Sequence, residues 1–557
     1  MSDLHRPENP VRIITASSLF DGHDAAITVM RRILQSQGCE VIHLVHNRSA
    51  TEVVEAAVDE DAQGIAVSSY QGGHVEYIEY VVQLLRERGA HHVRVFGGGG
   101  GVIVPSEIAR LRTSGVTIFS PEDGQRMGLA AMVNSVVSAC DVDLWAEGPV
   151  TADAVLSGDR AALARAITGA ELGQLDDAML AAIRGGAARR SVPVLGITGT
   201  GGSGKSSLTD ELLQRFRRDQ GDALHIAVIA VDPSRRRAGG ALLGDRIRMN
   251  CLGGDRVFFR SLATRGAHEL PDALPDVIDV AKAAGVDLVV VETPGIGQGD
   301  AAIVDHVDLS LYVMTPEYGA ATQLEKIDMI DLADAVAINK FDRRGAQDAH
   351  RAVARQMARS RNVRDRTPDA MPVFGTRAAR FNDDGVTALY HHLLARLTDL
   401  GLPAGPGSLA PVQVRCSSGD RPIIPVDRRH HLAETAAAVR DHHARTERLA
   451  ESARRGQRLT AVLSDLTAAG EETGGVKRLL GTASIEVPAE TRDAIAGWAD
   501  VVATYAAEEM VVGAPGAETR HRLARTSPSG TRIPRVAVPA FTDHGDLVRF
   551  LGRENLP

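Results

Sequence analysis

Gly199, Gly204, Lys205 and Ser206 have the spacing G-x-x-x-x-G-K-[ST], between an apolar run, PVLGIT (193–198), and a helix-forming stretch, SSLTDELLQRF. Glycine-rich backbone lets the N–H groups of Gly201, Gly202, Ser203 and Gly204 turn toward a β-phosphate. The helix start at Ser206 and Ser207 adds its partial positive charge. Lys205 then reaches the β- and γ-phosphates, and the Ser206 hydroxyl meets Mg2+. Asn339-Lys340-Phe341-Asp342, at the end of the apolar run AVAIN, is an N-K-x-D segment. The Asp342 carboxylate can accept from both N1 and N2 of guanine, a donor pair that adenine lacks, while Asn339 and Lys340 hold the loop against the base. Between the two motifs lies VVVETPGIGQGD, with Glu292 and Thr293 at a strand end. A carboxylate there can hold Mg2+ directly or through water. Asp232, closing HIAVIAVD, and Asp245, in GGALLGDRIRMN, could complete the cation's shell, and Arg248 could meet a phosphate. For each isolated acid, a helix cap or a solvated turn is the competing reading. Gln298 could orient an attacking water, so Lys205, Glu292 and Gln298 are the candidate catalytic residues of a GTP hydrolysis run by positioning and charge stabilisation.

A second constellation is Phe20-Asp21-Gly22-His23-Asp24. A neutral imidazole after a first strand can ligate a metal, with Asp21 holding the other ring nitrogen and fixing the tautomer. A capped turn is the plainer alternative. Two further strand ends carry Ser68-Ser69-Tyr70-Gln71-Gly72-Gly73-His74, and Phe96 followed by glycine from Gly97 to Gly101. Hydroxyls and bare backbone at neighbouring strand ends, including Ser68, Gly98 and Gly99, would admit a large flat-sided ligand with a polar tail. A phospho-acceptor or flavin domain of similar topology is the competing reading.

The elements that must position these residues are legible as alternating apolar runs and amphipathic helices. Residues 1–140 contain VRIITASS (11–18), EVIHLV (40–45), GIAVSS (64–69), VRVFGG (93–98) and VTIFS (116–120). They predict a doubly wound, flavodoxin-like α/β domain with its ligand beyond the strand ends. Residues 141–190 read as an Ala-rich helical connector. Residues 191–400 read as a P-loop α/β domain with strands PVLGIT, HIAVIAVD, DLVVVET, LSLYVMT and AVAINK. A Gly/Pro-rich stretch, 401–412, marks a boundary, and 401–557 reads as a mainly helical linker region: one or two polar helices over 427–470, then strand- and turn-like sequence.

Length and composition suit several soluble domains: 557 residues, 44% hydrophobic, 24% charged and a net charge of −9. That balance gives no general reason to expect nucleic acid or an anionic membrane, although Arg235-Arg236-Arg237 could meet phosphates locally. The four cysteines, Cys39, Cys140, Cys251 and Cys416, form no C-x-x-C pair, and no apolar stretch is long enough for a membrane span. A reducing cytoplasm is the expected location.

The first block resembles the cobalamin-binding domain of the methylmalonyl-CoA mutase family, with its D-x-H-x-x-G, S-x-L and G-G motifs. The resemblance implies that His23 is the lower axial ligand of cobalt, Asp21 its supporting partner, and that Ser68, Gly98 and Gly99 line the cofactor's tail. Two positions depart: Ala26 stands for a motif glycine and Tyr70 for leucine. With GTGGSGKSSLTDEL, GGALLGDRIRMN and ETPGIGQGD following, the chain resembles the subgroup of fused isobutyryl-CoA mutases. This implies Ser206, Asp232, Asp245, Glu292 and Thr293 as the Mg2+ set, adenosylcobalamin as cofactor, and a nucleotide-sensing switch in MTPEYGAATQLEKID (314–328). It also implies an acyl-CoA mutase barrel, expected here as a separate chain or an absent domain, and leaves a homodimer open. The functions expected are GTP hydrolysis that gates cofactor loading for isobutyryl-CoA/n-butyryl-CoA isomerisation or, alternatively, a stand-alone cobalamin metallochaperone. The 427–470 helices would be a docking surface or a solvated face.

Overall fold

The computed structural model describes residues 5–234, 240–266, 270–295, 300–318, 324, 327–361, 370–419, 428, 430–512, 519–527 and 529–553. The chain divides into two compact units, residues 1–423 and 424–557.

The first unit begins with five parallel strands, β1 (Arg12–Ser17), β2 (Glu40–His43), β3 (Gly64–Ser68), β4 (Arg94–Gly98) and β5 (Thr117–Phe119). Helices α1 (Ala25–Ser36), α2 (Ala50–Asp59), α3 (His74–Glu87), α4 (Pro105–Thr113), α5 (Pro121–Met127) and α6 (Leu129–Cys140) complete this layer. Helices cover both faces, so β1 is buried at every position and reads as an unbroken run, as strands of parallel sheets do. The order β5-β4-β3-β1-β2 is flavodoxin-like, and the chain reverses direction across the sheet between β1 and β3. A crevice opens there, at the C-terminal strand ends. Ser49 and Glu52 close a capping box that starts α2.

Short helices α7 (Leu144–Glu147) and α8 (Ala152–Leu156) lead into α9 (Arg160–Glu171) and α10 (Asp177–Ala188). Apolar residues of α9 and α10, among them Leu163, Ile167 and Ile183, share a core with Val194, Ile229 and Val289 of the second sheet. The next strands along the chain are β6 (Val194–Gly199), β7 (Ile226–Asp232), β8 (Ala241–Leu243), β9 (Val257–Ala263), β10 (Leu288–Glu292), β11 (Leu309–Met314), β12 (Ala335–Ile338) and β13 (Val373–Gly375). Seven of them form a parallel sheet in the order β13-β12-β11-β6-β10-β7-β9, flanked by α11 (Lys205–Asp219) and α12 (Leu274–Ala283). The exception is β8, which joins the first sheet beside β2.

All ten strands expected from apolar runs are present, but β8, β9 and β13 lie outside those expectations. Strand β9 carries Arg260 and Ser261, both fully buried, which interrupt its apolar run. Their partners belong to an ionic seam between the two sheets. Ser261 donates from both N–H and hydroxyl to Glu60, and Arg260 reaches Glu171 at 2.6 Å. Arg12 pairs with Glu40 and Glu171, and Arg265 with Glu40. Arg246 reaches Asp59 at 3.0 Å.

The second unit is built on one 39-residue helix, His431–Ala469, within the 427–470 stretch expected to hold one or two. It packs Ala450 and Ala453 against Val487 and Val548, and its Arg454 is paired with Asp543 and Asp546. Residues 474–506, expected to be strand- and turn-like, form three helices, separated near Pro488 and at Gly497. Two short antiparallel strand pairs come after them. No helix among the described residues is long and apolar enough to cross a membrane.

Candidate functional site

Two strand-end sites lie in the first unit. At the second sheet, β6 runs into the glycine loop and α11 begins at Lys205, the geometry that aims backbone N–H groups at an anion. Lys205 Nζ donates to the Gly199 carbonyl at 2.8 Å. Ser206, the next residue, places its hydroxyl 2.7 Å from Glu292 Oε1 and 3.0 Å from Asp245 Oδ1. Thr209, one turn further along α11, donates to Glu292 Oε2 at 2.9 Å and so orients the carboxylate. Asp232, at the end of β7, accepts from the Gly244 N–H. Burial and the nearby charges of Asp245 and Glu292 push the Asp232 carboxyl up to about 8. Burial, then Asp245, push Glu292 up to about 7 against the Ser206 and Thr209 hydroxyls.

Acids raised in this way are relieved by a divalent cation. Among the described residues, no three acidic, His or Cys side chains close into an all-protein metal cage. The donor set fits an ion that takes one hydroxyl and one or two carboxylates and completes its shell with water and phosphates. Thr293 faces elsewhere: its hydroxyl donates to Thr198 of β6 at 2.8 Å. Arg248 lies at the open rim, 3.2 Å from Asp245. Gln298 and Arg235–Arg237 lie outside the described residues, as does part of 314–328.

The N-K-x-D segment braces the glycine loop. Asn339 Nδ2 donates to the Ser203 carbonyl at 2.8 Å, and Lys340 Nζ to the Gly202 carbonyl at 2.7 Å. Asn339 Oδ1 accepts from the Ala378 N–H, tying in the loop after β13. The Asp342 side chain is exposed, and Arg377 lies 3.7 Å away. The N-K-x-D segment and the glycine loop are thus held in one hydrogen-bonded frame.

At the first sheet, Asp21 is buried beneath an exposed His23. Asp21 Oδ1 is 2.8 Å from His23 Nδ1 and accepts the His23 N–H at 2.9 Å, while Oδ2 accepts the Tyr70 N–H at 2.5 Å. Burial pushes the Asp21 carboxyl up, but these hydrogen bonds outweigh it and hold the group below the usual carboxylate range. An ionised Asp21 keeps the proton on Nδ1, so the Nε2 lone pair faces outward from a side chain that is 75% exposed. Tyr70 sets its ring 5.5 Å from that of His23.

Beside the pair is a cavity of about 430 Å3, lined by Ala26, Ile27, Ser68, Phe96, Leu129 and Met132 among others. The Ser68 hydroxyl is buried and has no hydrogen-bond partner among the described residues. Gly99 packs so tightly on Ser69 that a Cβ there would come within 1.8 Å of its carbonyl oxygen. An outward imidazole, an orphaned hydroxyl and an apolar slot fit a cobalamin. Phe20, which opens the Asp21–His23 loop, is 81% exposed in the left-handed region at φ 63°, its N–H on Asn47. A bulky side chain in that conformation marks a loop shaped by more than local preference.

Comparison with known proteins matches the B12 binding domain over residues 11–126 and the Methylmalonyl Co-A mutase-associated GTPase MeaB over residues 163–400. A fused isobutyryl-CoA mutase of Nocardia farcinica is 60% identical over the whole chain, and that of Cupriavidus metallidurans is 56% identical over 99% of it. The alignments cover 51% of each relative, so the chain spans about half their length. A putative GTPase of Pyrococcus horikoshii is 44% identical over 28% of the chain and 48% of its own length.

Proposed function

We propose, from the premise that the chain belongs to the fused isobutyryl-CoA mutase family over the portion it spans, that it hydrolyses GTP to gate the loading of adenosylcobalamin for an acyl-CoA mutase. The observation that carries this reading is the Ser206 hydroxyl bracketed by Asp245 and Glu292, in the same compact unit as the outward-facing His23. Lys205 would neutralise charge on the β- and γ-phosphates. Ser206, with Asp245 and Glu292 directly or through water, would hold Mg2+, and Asp232 would sit behind them. Asp342 would select guanine. Water is the nucleophile, and the site's contribution is positioning and electrostatic stabilisation.

His23 would hold the cobalt of the cofactor through Nε2, with Asp21 fixing its tautomer. Bound adenosylcobalamin supplies the homolytic chemistry that starts a carbon-skeleton rearrangement of isobutyryl-CoA to n-butyryl-CoA. The acyl-CoA site would belong to a mutase barrel, and we place the protein in the cytoplasm.

The test is nucleotide turnover by the purified chain. GTP is hydrolysed only with Mg2+, ATP is not, and Lys205→Ala lowers turnover by at least about 100-fold. A Lys205→Ala protein with wild-type turnover overturns the phosphate-site assignment.

A further inference from the structure

Strand β8 belongs by sequence to the GTPase sheet, between β7 and β9, yet it is the edge strand of the other one. It runs parallel to β2 with Ala241 beside Glu40, Leu242 beside Val41 and Leu243 beside Ile42. Ala241 and Leu243 are fully buried in the core that contains Ile14, Ile42 and Val67. The approach is close at the strand's start. A Cβ on Gly240 would lie 2.4 Å from the Gln35 carbonyl oxygen and 2.8 Å from that of Cys39. These atoms are backbone, so no rotamer change relieves the clash.

Directly after β8 the chain enters the cation site. Gly244 donates to Asp232, Asp245 meets the Ser206 hydroxyl, and Arg246 returns to Asp59 at the end of α2. Asp245 is thus suspended between two anchors, Gly240–Leu243 on β2 and Arg246 on α2, and both belong to the first sheet's layer. The same anchor meets the other site. Gln35 lies in the last turn of α1, whose first residue, Ala25, is two residues from His23. A helix of that length, about 18 Å, joins the Gly240 contact to the imidazole loop.

We propose that β8 makes the cobalamin sheet a positioning element of the GTPase. Its pairing with β2 sets Asp245 against Ser206, and Gly240 on Gln35 transmits nucleotide state to the His23 loop through α1. The second half of this inference rests on the gating reading above; the first half does not. Coupling of this kind is reciprocal: whatever GTP does to cobalamin affinity, cobalamin does to GTP affinity.

The experiment compares wild type with Gly240→Ala in the full chain. It reads the Mg2+ concentration for half-maximal GTP hydrolysis, and cobalamin affinity with GDP against a non-hydrolysable GTP analogue. In the wild type the two affinities differ by about 5-fold or more. Gly240→Ala raises half-saturating Mg2+ by at least about 5-fold and brings the affinity ratio to within about 2-fold of unity. A variant with wild-type Mg2+ dependence overturns the positioning role of β8. One that keeps the wild-type affinity ratio overturns the α1 route. A wild-type ratio of one removes gating itself and leaves the Mg2+ result to decide positioning. Amide exchange on the wild type needs no variant to fold. Mg2+ with the GTP analogue protects 240–246 and 40–43 together, and protection of 240–246 alone overturns the proposal.

Discussion

A carboxylate that only accepts and an imidazole that can do either settle what each site residue can select. Asp342 in the N-K-x-D segment would offer two acceptors to guanine N1 and N2. Asn in its place offers one acceptor and one donor, which suits the C2 carbonyl of xanthine. Asp342→Asn therefore lowers GTP affinity by about 10²-fold or more and raises that for XTP, each lost charged hydrogen bond being worth about 1.5–3 kcal/mol. Competition for labelled GDP measures both. At the other site, His23→Ala weakens cobalamin binding while leaving GTP turnover within about 2-fold, and Asp21→Ala weakens it by about 10–100-fold through the unfixed ring. Equal affinity in a cobalamin titration overturns the axial assignment. These residues were legible because the chemistry admits few residue types at few spacings. Thr209, which orients Glu292, and the Tyr70 N–H on Asp21 were not, since an ordinary helix threonine and a backbone amide acquire their roles from tertiary placement. Asn339 and Lys340 are expected at the site from the motif, and their hydrogen bonds run to the glycine loop.

At the scale of elements, apolar runs gave the strands of both sheets wherever helices cover both faces. Periodicity fails where charge is buried. VFFRSLA reads as a broken run because Arg260 and Ser261 sit in its middle, and both are paired with acids about 90 and 200 residues earlier in the chain. The pairing of three-residue β8 with β2 is equally non-local. The ionic seam is thus invisible to local sequence patterns, and removing one of its buried partners is costly. Glu171 receives Arg12, Arg260 and Arg265, so Glu171→Ala leaves three guanidinium groups short of a partner. It costs about 3–5 kcal/mol in denaturant unfolding, because uncompensated buried charge remains. Acid acts on the same seam. Burial pushes the Glu40 carboxyl up, but Arg12 and Arg265 outweigh it and hold it down to about 2. A carboxyl lowered on folding adds stability above its ordinary value, and that stability is lost as pH falls through the folded one. Unfolding at equilibrium therefore steepens between about pH 4.5 and pH 2 in the wild type and is flatter there in Glu40→Gln.

For the whole molecule, the proposed function divides an acyl-CoA isomerisation between these 557 residues and a mutase barrel. Homolytic chemistry demands that the reactive face of the cofactor be enclosed against water and oxygen, because an exposed radical is lost to side reactions. Here the imidazole that would carry cobalt has a side chain 75% exposed at an open strand edge, next to an 81% exposed Phe20. The chain spans about half of the curated relatives that it matches, and the matched domains account for cobalamin and nucleotide. We expect the purified chain, given adenosylcobalamin, Mg2+ and GTP, to hydrolyse GTP and to form no n-butyryl-CoA from isobutyryl-CoA above the protein-free control. Adding a barrel-bearing mutase chain should restore product formation, and His23→Ala should abolish the restored activity while GTP turnover continues. Product from the 557 residues alone would mean that an acyl-CoA site lies within them, and the open strand edge would then have to be covered during turnover.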